Sequence, residues 1–300
     1  YPVQLLLNPL IGAISAGCTA LLKPSPYTPN VAQVLEQMID DTFSEEYIAI
    51  VQGNRDVNRY LLDQRFDLIF FTGSPTLGRE VMAAASKHLT PVVLELGGKS
   101  PCIVDKEANI KLAAKRIAWG KSLNAGQTCI APDYLLIHKS LEQPFIEEFK
   151  SAVASLHGKD VKKSRHFVRL VNDRAFERVS SYLADGEVVA GGAIDPAERY
   201  IEPTLLAVVS PSAKVMQEEI FGPVLPILTF DTVEEVMDLL SRRPKPLAFY
   251  FFSEDKARIE LQFIGSSGRI QVSSSGLTAG TSPGTDDITQ AQSSGQMRPF

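Results

Sequence analysis

Residues 67–98 read DLIFFTGSPTLGREVMAAASKHLTPVVLELGG. Two short apolar runs, 67–72 (DLIFFT) and 91–96 (PVVLEL), flank a stretch over 77–88 whose apolar residues recur three and four apart. The outer runs have the length and turn-residue borders of strands, and the middle has the period of a helix. The same alternation extends towards residue 1, with strands expected at 19–23 (TALLK) and 47–52 (YIAIVQ) and helices at 30–40 and 57–64. Apolar strands separated by helices favour a parallel sheet covered on both faces. Beyond residue 99 the pattern continues on longer elements: helices at 110–123, 141–156, 171–183 and 233–240, and a strand at 134–138.

The expectation is an α/β fold in two domains, 1–98 and 99–270, with the boundary at the flexible pair Gly97-Gly98. A tail follows over 271–300. Between Ser273 and Gln296, 17 of 24 positions are Ser, Thr, Gly or Gln. Such a composition buries too little apolar surface to offset chain entropy, so the tail is expected to be disordered.

Composition narrows the function classes. The net charge of −5 gives no basic footprint for nucleic acid. One local run, Lys159, Lys162, Lys163, Arg165 and Arg169, reads as a solvated face. Three cysteines, Cys18, Cys102 and Cys129, cannot all pair within the chain, which argues against a disulfide framework and for a reducing, cytoplasmic setting. No apolar stretch approaches the roughly 18 residues of a membrane span. Tyr1-Pro2 offers neither an initiator Met nor a secretory signal, so the sequence is expected to be part of a longer chain.

Two residues stand out chemically. Cys129 lies in Gly126-Gln127-Thr128-Cys129. A lone cysteine is usually a small buried hydrophobe, and reactivity needs a lowered thiol pKa or an adjacent base. A Cys-His hydrolase would use His138 or His157, but GQTCIA matches neither caspase nor papain signatures. Glu95 sits inside the apolar strand VVLEL, where burial would raise its pKa and suit a general base. The bland alternative is a strand-end carboxylate paired with Lys99 or a backbone amide.

General nucleotide motifs are absent. Residues 73–78 (GSPTLG) have the end spacing of a P-loop, but Arg79-Glu80 follow in place of Lys-Ser/Thr. What remains is a strand, a TGS turn and a helix start, whose free amides can meet a pyrophosphate.

Together, LLKPS (21–25), FTGS (71–74), LELGGKSP (94–101), GQTC (126–129) and EEIFGP (218–223) resemble the motifs of the aldehyde dehydrogenase family, in order. Glu95 and Cys129 are 34 residues apart (129 − 95), as in that family. CIAPDYLL (129–136) is most similar to the branch acting on medium-chain, long-chain and aromatic aldehydes.

The resemblance implies a parallel-sheet dinucleotide-binding domain over 1–98 and an α/β catalytic domain with a cysteine nucleophile over 99–270. It implies oxidation of an aldehyde to a carboxylic acid with NAD or NADP, through a thiohemiacetal and a thioester on Cys129. Glu95 would activate the hydrolytic water. Lys23 would hold the adenosine ribose, Gly73, Ser74 and Gly78 would line the pyrophosphate turn, and Glu219 and Phe221 would position the nicotinamide ribose and ring. No metal is implied, and the family suggests a homodimer. Acyl-phosphate reductases of the same superfamily typically lack the Glu95-type base, so its presence here points to hydrolysis.

Three departures accompany the resemblance. Tyr1-Pro2 resembles the end of a Trp-Asn-Phe/Tyr-Pro motif whose asparagine, an oxyanion donor, is absent from this chain, and Asn8 is not its equivalent; such a donor is typically worth about 10²–10³ in turnover. Pro26 stands where the family often has a ribose-gripping Glu, whose absence weakens the argument for NAD over NADP. After Gly268-Arg269-Ile270 the family's Asn-containing strand and Gly-rich loop are replaced by QVSSSGLTAGTSPG. The alternative reading is a catalytically impaired NAD(P)-binding remnant of such an enzyme.

Overall fold

A computed structural model of the chain describes residues 1–255 and the backbone of 270–273. The chain divides into two compact units, one of Tyr1–Gly97 and one beginning at Gly98.

In the first unit, α1 (Gln4–Ser15) precedes β1 (Ala20–Leu22), α2 (Pro29–Thr42), β2 (Ile48–Ile50), α3 (Arg55–Leu62), β3 (Ile69–Gly73), α4 (Pro75–Ser86) and β4 (Val92–Leu96). β1 pairs with β2 and β3 with β4, both in parallel. The expected strands and helices of residues 19–98 fall on these elements. α1 was not foreseen. Leu10, Leu22, Ile39 and Ile48 bury together where α1 and α2 cover the β1–β2 pair. Helix starts follow local chemistry: Asn54 caps α3 through Asp56 N at 2.9 Å, and Pro29 and Pro75 open α2 and α4, where a missing N–H costs nothing.

The second unit runs β5 (Pro101–Val104), α5 (Ile110–Ser122), β6 (Tyr134–His138), α6 (Glu142–His157), α7 (Asp173–Ser181), β7 (Glu187–Ala190), β8 (Ile194–Asp195), β9 (Tyr200–Ile201), β10 (Thr204–Ala207), β11 (Val224–Phe230), α8 (Val233–Ser241), β12 (Phe249–Phe252) and β13 (Ile270–Ser273). Seven strands form one sheet in the order β13-β12-β5-β6-β11-β10-β7. Every neighbour is parallel except β7, which runs antiparallel to β10. Two apolar clusters bury against this sheet, one built on Ile117, Phe145 and Phe149, the other on Val179, Tyr182, Met216 and Phe251. The first three residues expected in the tail, 271–273, form part of β13; the rest of that expectation lies outside the described residues.

Three cations of the basic run are ion-paired, while Lys159 and Arg165 are exposed. Lys162 pairs with Asp195 and Glu198, Arg169 with Glu198, and Lys163 with Asp160.

Candidate active site

In the first unit the expected site residues gather at the carboxyl ends of parallel strands, where open α/β sheets place ligands. β3 ends at Gly73, and Ser74 caps α4 by accepting from Leu77 N at 3.4 Å. A Cβ on Gly73 would stand 2.5 Å from the Phe71 ring of the same strand, and one on Gly78 would stand 2.7 Å from Leu96, so Gly78 lets α4 pack close to β4. Glu95 lies opposite Thr72 in the β3–β4 register and is half-buried. Lys23 directly follows β1; its Nζ donates to the Pro24 carbonyl at 2.8 Å, and burial lowers its pKa.

In the second unit, Cys129 is half-buried on a turn whose backbone is preset. Asn124 (φ 50°) and Ala125 (φ 53°) are left-handed, as is Gly126 (φ 70°). For residues with a side chain this costs roughly 1–2 kcal/mol each. The conformation holds because buried Gln127 clamps it. Its Nε2 donates to Asn124 O at 3.0 Å and Arg169 O at 3.1 Å, its Oε1 accepts from Val171 N at 2.9 Å, and Asn124 Nδ2 donates to Gln127 O at 2.9 Å. Beyond the cysteine, Ala131 N donates to Thr128 O at 3.0 Å, and the Tyr250 hydroxyl donates to the Ile130 carbonyl. A thiol on so fixed a turn is held in one orientation by the backbone around it.

Residues 218–222 lie against this turn. A Cβ on Gly126 would meet Gly222 O at 2.3 Å. Phe221 is left-handed at φ 47°, a conformation that costs of order 1–3 kcal/mol and persists only where neighbours impose it. Here they do. Ile220 N donates to Asp133 Oδ1 at 2.9 Å, and Arg178 donates to Glu219 O at 3.1 Å and Ile220 O at 2.9 Å.

Glu219 keeps its Oε1 buried without a hydrogen-bond partner, while Gly98 N donates to the carboxylate. Burial pushes its pKa up to about 7, opposed by that amide and by Lys121 and Lys99. Lys121 is 1% exposed and has no partner for its Nζ; burial brings its pKa down to about 8. Among the described residues, no group of three or more His, Cys, Asp or Glu is placed to hold a metal, and no helix is long and apolar enough to cross a membrane.

The structure corrects one sequence reading. Lys99, offered as a partner for Glu95, pairs with Asp133 instead. The histidines of the Cys-His alternative are otherwise engaged: His138 meets Ser140 Oγ through Nδ1, and His157 packs edge-on to Phe167 with no hydrogen-bond partner on either nitrogen.

The model described as "Aldehyde dehydrogenase family" matches residues 1–264. The chain belongs to the aldehyde dehydrogenase family. It is 48% identical over 258 residues to 4,4'-diaponeurosporen-aldehyde dehydrogenase of Staphylococcus aureus, covering 85% of this chain and 56% of that protein. It is 44% identical over 279 residues to the dimeric NADP-preferring aldehyde dehydrogenase of Rattus norvegicus, covering 93% and 60%. A solved substrate-bound state of Staphylococcus aureus AldH superposes with a TM-score of 0.89 at 45% identity, covering 91% of this chain and 60% of that one. Another, the indole-3-acetaldehyde dehydrogenase AldA of P. syringae in complex with NAD+ and IAA, gives 0.79 at 29% identity. The chain thus spans little more than half the length of these relatives.

Sequence reasoning found the family's motif residues and passed over their supports: Gln127, Asp133, Arg178, Tyr250 and Lys121. Lys121 left a visible signal. It continues the buried stripe Ala113, Ala114, Ile117 and Ala118 of α5, a position where a lysine needs a reason.

Proposed function

We propose that this chain carries the aldehyde-oxidising site of an NAD- or NADP-dependent dehydrogenase, with Cys129 as nucleophile and Glu95 as general base. The observation that carries the reading is the family's GQTC motif folded into a clamped turn that presents the cysteine. The Cys129 thiolate adds to the aldehyde carbonyl, giving a thiohemiacetal. Bound NAD or NADP would supply the hydride acceptor that lets this adduct collapse to a thioester. Glu95 then takes a proton from the water that attacks the thioester, releasing the acid and the thiolate.

The residues fit such a cofactor: Glu219 offers a buried carboxylate oxygen without a partner, and Ser74 opens a helix N-terminus suited to phosphate. Lys23, Gly73 and Gly78 would complete the adenosine and pyrophosphate side, and Phe221 would lie beside the nicotinamide. The domain labels follow, with 1–98 for the cofactor and 99–270 for the chemistry. A cytoplasmic setting fits three cysteines without a disulfide, and a dimer is carried over from the rat relative's name.

The test is NADH or NADPH formation by the purified chain with a panel of aliphatic and aromatic aldehydes, each cofactor supplied separately. Aldehyde-dependent reduction supports the reading. The second reading is an NAD(P)-binding remnant. It leads if cofactor binds and no aldehyde is oxidised.

Two further results are expected. Glu95→Gln should slow hydrolysis of the thioester more than the first hydride transfer, so a burst of NAD(P)H precedes a slow steady state. A loss of about 10²–10⁴ is the usual worth of a positioned base; equal slowing of both phases in stopped flow argues against this role.

The second concerns pH. Ionised Glu219 is the form that accepts ribose hydroxyls, so cofactor affinity should fall as pH drops through about 7. Glu219→Gln should flatten that profile in equilibrium binding, and Lys121→Met should move its midpoint upward. Stability carries the opposite sign. Burial favours the neutral carboxyl, whose contribution is full below the ordinary value of 4.5 and is lost as pH rises through about 7.

A further inference from the structure

Asp133 stands four residues beyond Cys129, and its side chain is only 4% exposed. Its Oδ1 accepts from Ile220 N at 2.9 Å, its own N donates to Ser100 O at 2.9 Å, and its Oδ2 pairs with Lys99. Lys99, 12% exposed along its side chain, also donates to Val215 O at 2.8 Å and Glu218 O at 2.9 Å. One buried ion pair therefore ties three points of residues 214–222 to the start of β6.

These links close a ring. From Cys129 the chain runs to Asp133, crosses by hydrogen bond to Ile220, and continues through Phe221 to Gly222. Gly222 abuts Gly126, and three residues return to Cys129. A displacement of Glu219 or Phe221 must then either stretch the Asp133 bond or press on the backbone of the cysteine turn. Packed elements of this kind transmit displacement because they do not deform continuously.

We propose that Lys99 and Asp133 are positioning residues that couple occupancy of the Glu219–Phe221 face to the reactivity of the Cys129 thiol. The inference rests on the reading of that face as the cofactor side and of Cys129 as the nucleophile. A purely structural pair would stabilise the unit without linking the two. Removing both partners together distinguishes these roles, because replacing a buried ion pair with neutral groups of similar size is often close to neutral for stability, whereas leaving one charge unpaired is not.

The experiment is the rate of Cys129 alkylation by iodoacetamide, followed by mass spectrometry, with and without saturating NAD or NADP. The native chain, Asp133→Asn and Lys99→Met/Asp133→Asn are compared, with cofactor binding and thermal unfolding measured for each. In the native chain cofactor should change the rate about five-fold or more. In the double variant the two rates should converge while cofactor still binds. Asp133→Asn, whose amide oxygen can still accept from Ile220 N, should lie between, and it keeps the test open if the double variant fails to fold. A cofactor effect undiminished in the variants overturns the inference and leaves the proposed function standing, as does a folded double variant that has lost cofactor binding altogether. Equal rates in the native chain overturn the cofactor-side reading and this inference with it.

Discussion

Cys129→Ser is expected to abolish aldehyde-dependent formation of NADH and NADPH while leaving the fold intact. Sulfur and oxygen differ little in size, and the backbone clamps around position 129, from Gln127, Gly126 and Tyr250, do not use the thiol. What changes is the chemistry. A thiol supplies thiolate near neutrality and forms a thioester that water hydrolyses readily, whereas a serine hydroxyl stays protonated without a dedicated base. Loss of a sole nucleophile costs on the order of 10⁴-fold or more. The measurement is initial rate against the best aldehyde, beside a melting curve for each protein. A variant that melts like the parent and keeps more than a trace of turnover would falsify the nucleophile assignment. The other two cysteines are poor substitutes. Cys102 is fully buried, with burial raising its pKa, and Cys18 is exposed just after α1.

Legibility of the fold followed local periodicity. Residues 19–98 were readable because short apolar strands alternate with amphipathic helices and each boundary carries a turn residue. α1 escaped because QLLLNPLIGAIS has a nearly continuous apolar surface and an interior Pro9, which argues against a helix from sequence. β11 escaped for a related reason: Pro226 inside VLPILTF demotes a strand read in isolation. In the structure, β11 pairs with β10 through Val224–Pro226 and with β6 from Ile227 onward. The proline sits where pairing passes from one neighbour to the other.

The candidate site divides in the same way. Cys129, Glu95 and the Gly73–Ser74 turn belong to short motifs, so their identity was legible. Their supports are long-range. Gln127 bonds to Arg169 and Val171, and Asp133 to Ile220, across 42, 44 and 87 residues, and no local pattern announces a side chain bonding to distant backbone. The strain at Ala125 and Phe221 was invisible for the same reason, since these residue types do not advertise positive φ, whereas Asn124 belongs to a type enriched there.

Gly126→Ala is expected to be strongly destabilising, and the reason also bears on catalysis. Gly126 has φ +70°, and a Cβ there would stand 2.3 Å from Gly222 O, 2.7 Å from Gly222 C and 3.0 Å from Lys121 O. All three are backbone atoms, so no flexible side chain can swing aside. Left-handed strain of roughly 1–2 kcal/mol adds to an overpacking cost of typically 1–3 kcal/mol. A total of about 2–5 kcal/mol is comparable to much of a domain's net stability. Gly17→Ala isolates the strain, because Gly17 has φ +73° with nothing within 4 Å of its Cβ position. Denaturant unfolding should show Gly126→Ala losing more than Gly17→Ala by the added overpacking cost of typically 1–3 kcal/mol. Equal losses would mean that the turn does not pack against Gly222. Relief of the clash requires the Cys129 turn and residues 218–222 to separate, so in whatever fraction remains folded the thiol should lose its preset orientation, and alkylation of Cys129 should report that displacement directly.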